Sequence, residues 1–260
     1  MRIVSHTCSN TEILCALGLA DQLVAVDDHS DYPAEVVRKL PRIGPDLTVD
    51  VDRILALNPD LVVTSLTLPG HEEGLERMQQ AGLPLLVLEP KSLDDVPRDI
   101  QTIADALGVS QRGRELAEEF RTAMTPQQLD WQPAILVEWW PKPVIVPGRD
   151  SWVTAMIELA GGRNPWQHNP VKSEPVSDAE VLRARPDAVV ISWCGVPFAK
   201  YRPEVVRRRE SWAATPALRR DQVYCVSEEH LGRPGPRLLE GLTQLKHIVA
   251  NVNQMGPSDH

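Results

Sequence analysis

The chain reads as an α/β protein of two lobes, each built on a parallel sheet with helices on both faces, joined by a single long helix. Three observations predict this. A segment with Pro-Asp at its centre occurs twice, the elements around the two copies follow the same order, and a long helical periodicity separates them. The length of 260 residues suits two lobes of roughly 100–150 residues each.

Arg2–Val4 is the first expected strand, Asn10–Leu17 a helix, and Gly18 stands where a left-handed C-cap is needed. Ile54-Leu55-Ala56-Leu57-Asn58-Pro59-Asp60-Leu61-Val62-Val63-Thr64-Ser65 then reads as the end of a helix, a Pro-Asp turn and a β-branched strand. Proline cannot continue the helix, and Val-Val-Thr suits a strand buried on both faces. A further helix leads to the strand Leu85–Leu88. Asp95–Met124 is helical by periodicity: Asp95 caps it, Pro97 falls in its first turn, Gly108 interrupts it, and Ser110 caps a second segment. The second half repeats the order with the strand Ala134–Glu138, the helix Ser151–Leu159 and Gly161-Gly162. Val181-Leu182-Arg183-Ala184-Arg185-Pro186-Asp187-Ala188-Val189-Val190-Ile191-Ser192 follows, then the strand Val223–Val226 and the helix Leu238–Val249. The expected lobes are 1–108 and 131–260, with the connecting helix in 109–130.

Composition excludes several function classes. Net charge is −9, so the global field repels nucleic acid and anionic lipid, and no apolar run reaches the roughly 18–20 residues of a membrane span. Arg202, Arg207, Arg208 and Arg209 read as a solvated helix face. Cys8, Cys15, Cys194 and Cys225 show no metal or redox spacing and read as small buried residues. No cationic stretch with an apolar leader opens the sequence, so the expected location is cytoplasmic as written, or periplasmic or lipid-anchored if a leader was removed.

No nucleophile, metal-site or phosphate-loop motif occurs, so neither catalytic residues, nor a resident metal, nor a catalytic cofactor is expected. Asp27-Asp28-His29-Ser30-Asp31 offers metal-ligating groups, although an Asp/Ser turn explains the same residues. All seven tryptophans lie between Trp131 and Trp212. Trp139 and Trp140 follow a strand end, and because successive side chains alternate they cannot both enter the core. Trp193 occupies the equivalent place after the repeated strand. Trp166 falls in an irregular stretch overhanging that edge, while Trp152 and Trp212 read as core. Glu228-Glu229-His230-Leu231-Gly232-Arg233-Pro234-Gly235-Pro236-Arg237 precedes the last helix, with Arg233 held rigidly between glycines and prolines as a donor.

Ser5…Ser9-Asn10-Thr11-Glu12-Ile13, Ala16-Leu17-Gly18, Asp31-Tyr32-Pro33, the first Pro-Asp segment, Gly161-Gly162 and Arg233-Pro234-Gly235-Pro236-Arg237 together resemble the cobalamin-binding branch of the iron-siderophore/vitamin B12 substrate-binding proteins of ABC transporters. The resemblance spans roughly residues 2–250. It implies two Rossmann-like lobes joined by a helix, non-enzymatic binding of cobalamin or a related corrinoid in the cleft between them, and an ABC permease as partner of a monomer. Carried over position by position, it implies ligand contacts from His29, Trp139 or Trp140, Glu229 and Arg233; Tyr32, Trp193 and His230 complete the expected ligand residues. Asp46 and Ser65 stand where tryptophans are expected. Transporter docking falls on Asp52 in the first lobe. In the second it falls on Ala179, which Asp178 and Glu180 flank. The alternatives are a ferric-siderophore or haem binder on the same scaffold, then a corrinoid-processing enzyme or a hydrolase using Glu138, His29 or His230.

Overall fold

Strand and helix alternate along the chain in two units, each holding its own sheets. The computed structural model describes residues 1–68 and 70–257. The first unit comprises Met1–Thr122 with Pro234–Pro236, and the second begins at Ala123. In the first lie β1 (Ile3–Ser5), α1 (Cys8–Ala16), β2 (Leu23–Val26), α2 (Ala34–Val37), α3 (Val51–Ala56), β3 (Leu61–Ser65), α4 (His71–Gln80), β4 (Leu85–Leu88), α5 (Asp95–Ala106) and α6 (Ser110–Ala123). All strand pairs are parallel, in the order β2-β1-β3-β4. A buried apolar cluster of Val4, Ala25, Ile43, Ile54, Val62 and Met78 packs this sheet against its helices.

The second unit contains β5 (Ile135–Glu138), β6 (Trp140–Pro141), β7 (Val144–Pro147), α7 (Trp152–Leu159), β8 (Ser173–Val176), α8 (Asp178–Ala184), β9 (Ala188–Ile191), α9 (Glu204–Arg207), α10 (Pro216–Arg219), β10 (Val223–Cys225), α11 (Glu228–Leu231) and α12 (Leu238–Gln254). Its parallel sheet has the order β10-β9-β5. A further antiparallel sheet, β6-β7-β8, was not anticipated from the sequence.

The two Pro-Asp segments perform the same work. Asp60 Oδ2 accepts the Arg2 N–H at 2.6 Å, and Asp187 Oδ2 accepts the Ala134 N–H at 2.8 Å. In return the Asp60 N–H donates to the Arg2 carbonyl, and the Asp187 N–H to the Ala134 carbonyl, each at 2.8 Å. The aspartate thus satisfies backbone groups at the start of the neighbouring strand, where ladder partners are missing. The residues before the prolines, Asn58 and Arg185, both take positive φ (46° and 47°), so the repeat extends to backbone conformation. Gly18 and Gly161 occupy the left-handed position past α1 and α7, each inside a pair of Schellman hydrogen bonds.

Four expectations need correction. The helical stretch does break near Gly108, but Asp95 is the first residue of α5 and its carboxylate accepts from Lys91 and Ser92 N–H, tightening the approach rather than capping the helix. None of the cysteines is buried: Cys194 is exposed and the others are partly so. Trp166 does not overhang an edge, since it packs in the second unit's core with Val146, Val176 and Trp193. Trp152 is only partly buried, its indole N–H donating to the Leu231 carbonyl at 2.7 Å.

Candidate functional site

In the first unit the carboxyl ends of the strands carry a polar cluster centred on Asp46. His6 follows β1, His71 opens α4, Asp46 lies in the short turn 46–48, and His29 lies in the turn after β2. His6 Nε2 donates to the Asp46 carbonyl at 2.8 Å, which leaves Nδ1 to accept from the Thr64 hydroxyl at 2.7 Å. Burial, aided by the neighbouring His71, lowers its pKa to about 4, so it is neutral at pH 7. His71 Nδ1 faces the Thr67 and Leu68 N–H groups, and its Nε2 lies 3.3 Å from Asp46 Oδ2. His29 Nε2 stands 3.5 Å from Asp46 Oδ1, with 56% of its side chain exposed. Burial alone would raise the Asp46 pKa. The His71 hydrogen bond, the His29 and His71 charges and the Leu47 N–H outweigh it and hold the carboxyl below its ordinary range.

The turn holding His29 is built by Asp27, whose carboxylate accepts from the Ser30 hydroxyl at 2.5 Å and the His29 N–H at 2.9 Å. These contacts occupy the Asp27 oxygens as an Asx turn does. Tyr32, the next residue but one after Ser30, is exposed.

In the second unit the end of β5 carries a buried acid rather than a free one. Glu138 is wholly buried and both its oxygens are occupied: Arg209 donates to each, and the Trp193 indole N–H donates to Oε1 at 2.9 Å. Arg209 also lies over the Trp212 ring, 4.3 Å from its centroid, and the Trp212 indole donates to Asp178 at 2.7 Å. Arg209 therefore leaves the solvated face expected of it, because a fully buried carboxylate requires a paired charge. Trp139 is 9% exposed and Trp140 41%, so alternation does send the two rings to different environments. Trp193 is buried among core residues, its carbonyl accepting from the Tyr201 hydroxyl at 3.0 Å.

The loop before α12 is laced by ion pairs. Arg237 Nη2 lies 2.8 Å from Glu229 Oε2, and Arg233 Nε lies 3.6 Å from Glu228 Oε2. His230 Nε2 stands between the Arg237 guanidinium at 2.9 Å and the Glu240 carboxylate at 3.1 Å, with Gln244 2.8 Å from Nδ1. Burial, then the Arg237 charge, lower the His230 pKa. Gly241 lets α12 approach this loop: a Cβ there would meet the His230 carbonyl oxygen at 2.0 Å.

A sequence profile described as periplasmic binding protein matches residues 3–229. The chain belongs to the periplasmic binding protein family. It is 28% identical over 258 residues to an uncharacterized ABC transporter substrate-binding lipoprotein of Bacillus subtilis, covering 95% of this chain and 79% of that one. Over 253 residues it is 27% identical to the vitamin B12-binding protein of Vibrio cholerae, covering 94% and 87%. Among solved structures, the periplasmic heme-binding protein of Roseiflexus sp. RS-1 in apo form matches with a TM-score of 0.84 at 30% identity, over 97% of this chain and 99% of that one. Proteins of this family bind solutes rather than transform them, and this one is a solute-binding protein of that family.

Within this binding protein the expected ligand residues fall into three groups, described separately above. His29 and Tyr32 belong to the first unit; Trp139, Trp140 and Trp193 to the end of β5 and β9; Glu229, His230 and Arg233 to α11 and its loop. Of the expected docking carboxylates, Asp52 is exposed in the first turn of α3. Asp178 holds the Trp212 indole, and Glu180 closes a capping box with Ser177. Sequence reasoning missed Asp46, His6 and His71 as a cluster, and Arg209 as the partner of Glu138. The partners lie 40, 25 and 71 residues apart, so no spacing rule links them. Among the described residues no helix is long and apolar enough to cross a membrane.

Proposed function

We propose that this protein binds cobalamin or a related corrinoid without changing it, either as the substrate-binding component of ABC-type uptake or as an intracellular corrinoid binder. The observation that carries the reading is the aromatic residue just past the end of β5: Trp140 presents an exposed ring, while Trp139 beside it in sequence is buried. A corrin is broad and largely apolar on its faces, with amides at its rim. Rigid aromatic surface buries such faces at little rotamer cost, and the Glu229, His230 and Arg233 loop offers acceptors and donors for the amides. The 27% identity to a vitamin B12-binding protein supports the same assignment.

One observation favours haem as the second reading. His29 is an exposed imidazole beside the Asp46 carboxylate, an arrangement that orients histidine as a metal ligand, and the matching haem-binding structure is 30% identical. A ferric siderophore ranks lower, because Arg233 and Arg237 face carboxylates and do not present uncompensated positive charge. A corrinoid-processing or hydrolytic role has no support, since Glu138 is occupied by Arg209 and Trp193.

Asp52 is the carboxylate we assign to a permease contact, and the protein acts as a monomer. Calorimetry with cobalamin, read together with the visible spectrum, tests the proposal. A single-site isotherm with an unchanged corrinoid chromophore is expected. Absence of heat with cobalamin, alongside tight uptake of haemin with a histidine-ligated spectrum, would replace it with the haem reading.

A further inference from the structure

Three aromatic side chains stand exposed among the described residues: Tyr32 at 46%, Trp140 at 41% and Phe198 at 50%. Apolar residues scattered singly over a surface need no explanation, but these are not scattered. Each follows the carboxyl end of a parallel strand, Tyr32 after β2, Trp140 after β5 and Phe198 after β9. In parallel sheets that is the edge where ligands gather. Tyr32 and Trp140 belong to the ligand residues assigned above; Phe198 does not.

The pairing of β5 with β9 runs on past both strands. The Ser192 N–H donates to the Glu138 carbonyl at 2.9 Å, and the Cys194 N–H to the Trp139 carbonyl at 3.1 Å. Trp140 and the connection 195–200 therefore leave the same sheet from adjacent positions. That connection is tightly built. The Val196 N–H donates to the Trp193 carbonyl at 3.2 Å, closing a turn whose third residue, Gly195, has a φ of 68° that side chains disfavour. The Tyr201 N–H donates to the Phe198 carbonyl at 3.0 Å, and Arg202 donates to the Ala199 carbonyl at 3.0 Å and the Tyr201 carbonyl at 2.9 Å. Phe198 is thus displayed by a hydrogen-bonded loop.

Beneath it lies the buried ring of Tyr201, 5.2 Å away between centroids, and Trp193 follows 5.5 Å from Tyr201. Both contacts are tilted, in the range of favourable aromatic pairs. The Tyr201 hydroxyl donates to the Trp193 carbonyl at 3.0 Å and accepts from the Glu228 N–H at 3.2 Å. Burial holds its pKa above the ordinary phenol range, so it remains a donor at neutral pH. One buried phenol joins the end of β9, the loop that bears Phe198 and the first residue of α11.

We propose, on the reading that the solute occupies this edge, that Phe198 is a further aromatic contact for it and that Tyr201 is the positioning residue that presents the ring. Two exposed rings leaving strands about 4.8 Å apart suit a solute with a broad apolar face rather than a small polar one. The test is a cobalamin titration of the full chain as parent, Phe198→Ala, Phe198→Trp, Tyr201→Phe and Val205→Ala, the last removing an exposed apolar side chain from α9. Amide hydrogen exchange and urea melts accompany it. Phe198→Ala should weaken binding about ten- to thirtyfold with an unchanged urea midpoint. Phe198→Trp should keep most of the affinity, and Val205→Ala all of it. Tyr201→Phe should weaken binding about two- to tenfold and speed exchange of amides in 194–200. If Phe198→Ala binds like the parent, or if Phe198→Trp or Val205→Ala loses as much as Phe198→Ala, the contact is wrong. Unchanged affinity and exchange in Tyr201→Phe would overturn its positioning role. If the parent ignores cobalamin, the corrinoid reading falls alone, and the same ratios are expected with haemin as the probe. A parent that takes up neither overturns both.

Discussion

Trp140 and Trp212 should separate binding from stability. Trp140 is exposed and helps to fix neither core, so Trp140→Ala should leave the unfolding midpoint nearly unchanged. It should cost about 2–4 kcal/mol of corrinoid affinity, as at a hot-spot aromatic. Trp212 is wholly buried, stacks under Arg209 and donates to Asp178, so Trp212→Ala should cost about 3–5 kcal/mol of stability in chemical denaturation. Corrinoid titration and urea melts on both variants check the pair. Glu138 gives a third prediction at this scale. Glu138→Gln leaves the Arg209 guanidinium, 14% exposed, without its counter-charge, a loss of about 3–5 kcal/mol. A double variant that also replaces Arg209 by Met should recover part of that loss in the same melts.

At the scale of elements, α12 sets the shape of the Glu229–Arg237 loop by lying against it at Gly241. Gly241→Ala drives a Cβ into the His230 carbonyl oxygen, and since that atom is backbone the helix itself must move. We expect a cost of about 1–3 kcal/mol from overpacking, with weakened ligand binding. Circular-dichroism melts and a ligand titration measure both. Elements of this fold were legible where local chemistry repeats: Pro59-Asp60 and Pro186-Asp187 each stop a helix and tie off a neighbouring strand, and both jobs can be read from residue type. The antiparallel sheet was not legible because its short strands carry Pro141, Pro147 and Pro175, which read as breakers. Proline is tolerated there because β6 and β8 are edge strands and Pro147 ends β7. The tryptophan pair could be placed from alternation alone. The Asp46 cluster and the Glu138–Arg209 pair could not, since they join residues from separate elements.

For the whole molecule, acid stability is the sum of opposing groups. His6 has a folded pKa near 4 against an unfolded value of 6.5, so between these the unfolded chain binds more protons and stability rises with pH. The full linkage is about 3 kcal/mol, of which about 2 kcal/mol falls between pH 7 and pH 5. Asp99 has the opposite sign: its folded pKa lies above that of a free carboxyl, so stability falls as pH rises through roughly 4 to 6. Asp46, held low, adds stability that is lost only as pH falls through its depressed value. His6→Gln should therefore gain on the parent by about 2 kcal/mol on going from pH 7 to pH 5, whereas Asp99→Asn should gain on the parent in the reverse direction. Urea unfolding at the two pH values reads both. The central claim, that this fold serves to hold a corrinoid intact, is tested most directly by native mass spectrometry of the protein exposed to an equimolar mixture of cobalamin, haemin and a ferric siderophore. One adduct is expected, protein plus one cobalamin of unchanged mass, lost in Trp140→Ala. A haemin or siderophore adduct in its place, or no adduct at all, would contradict it.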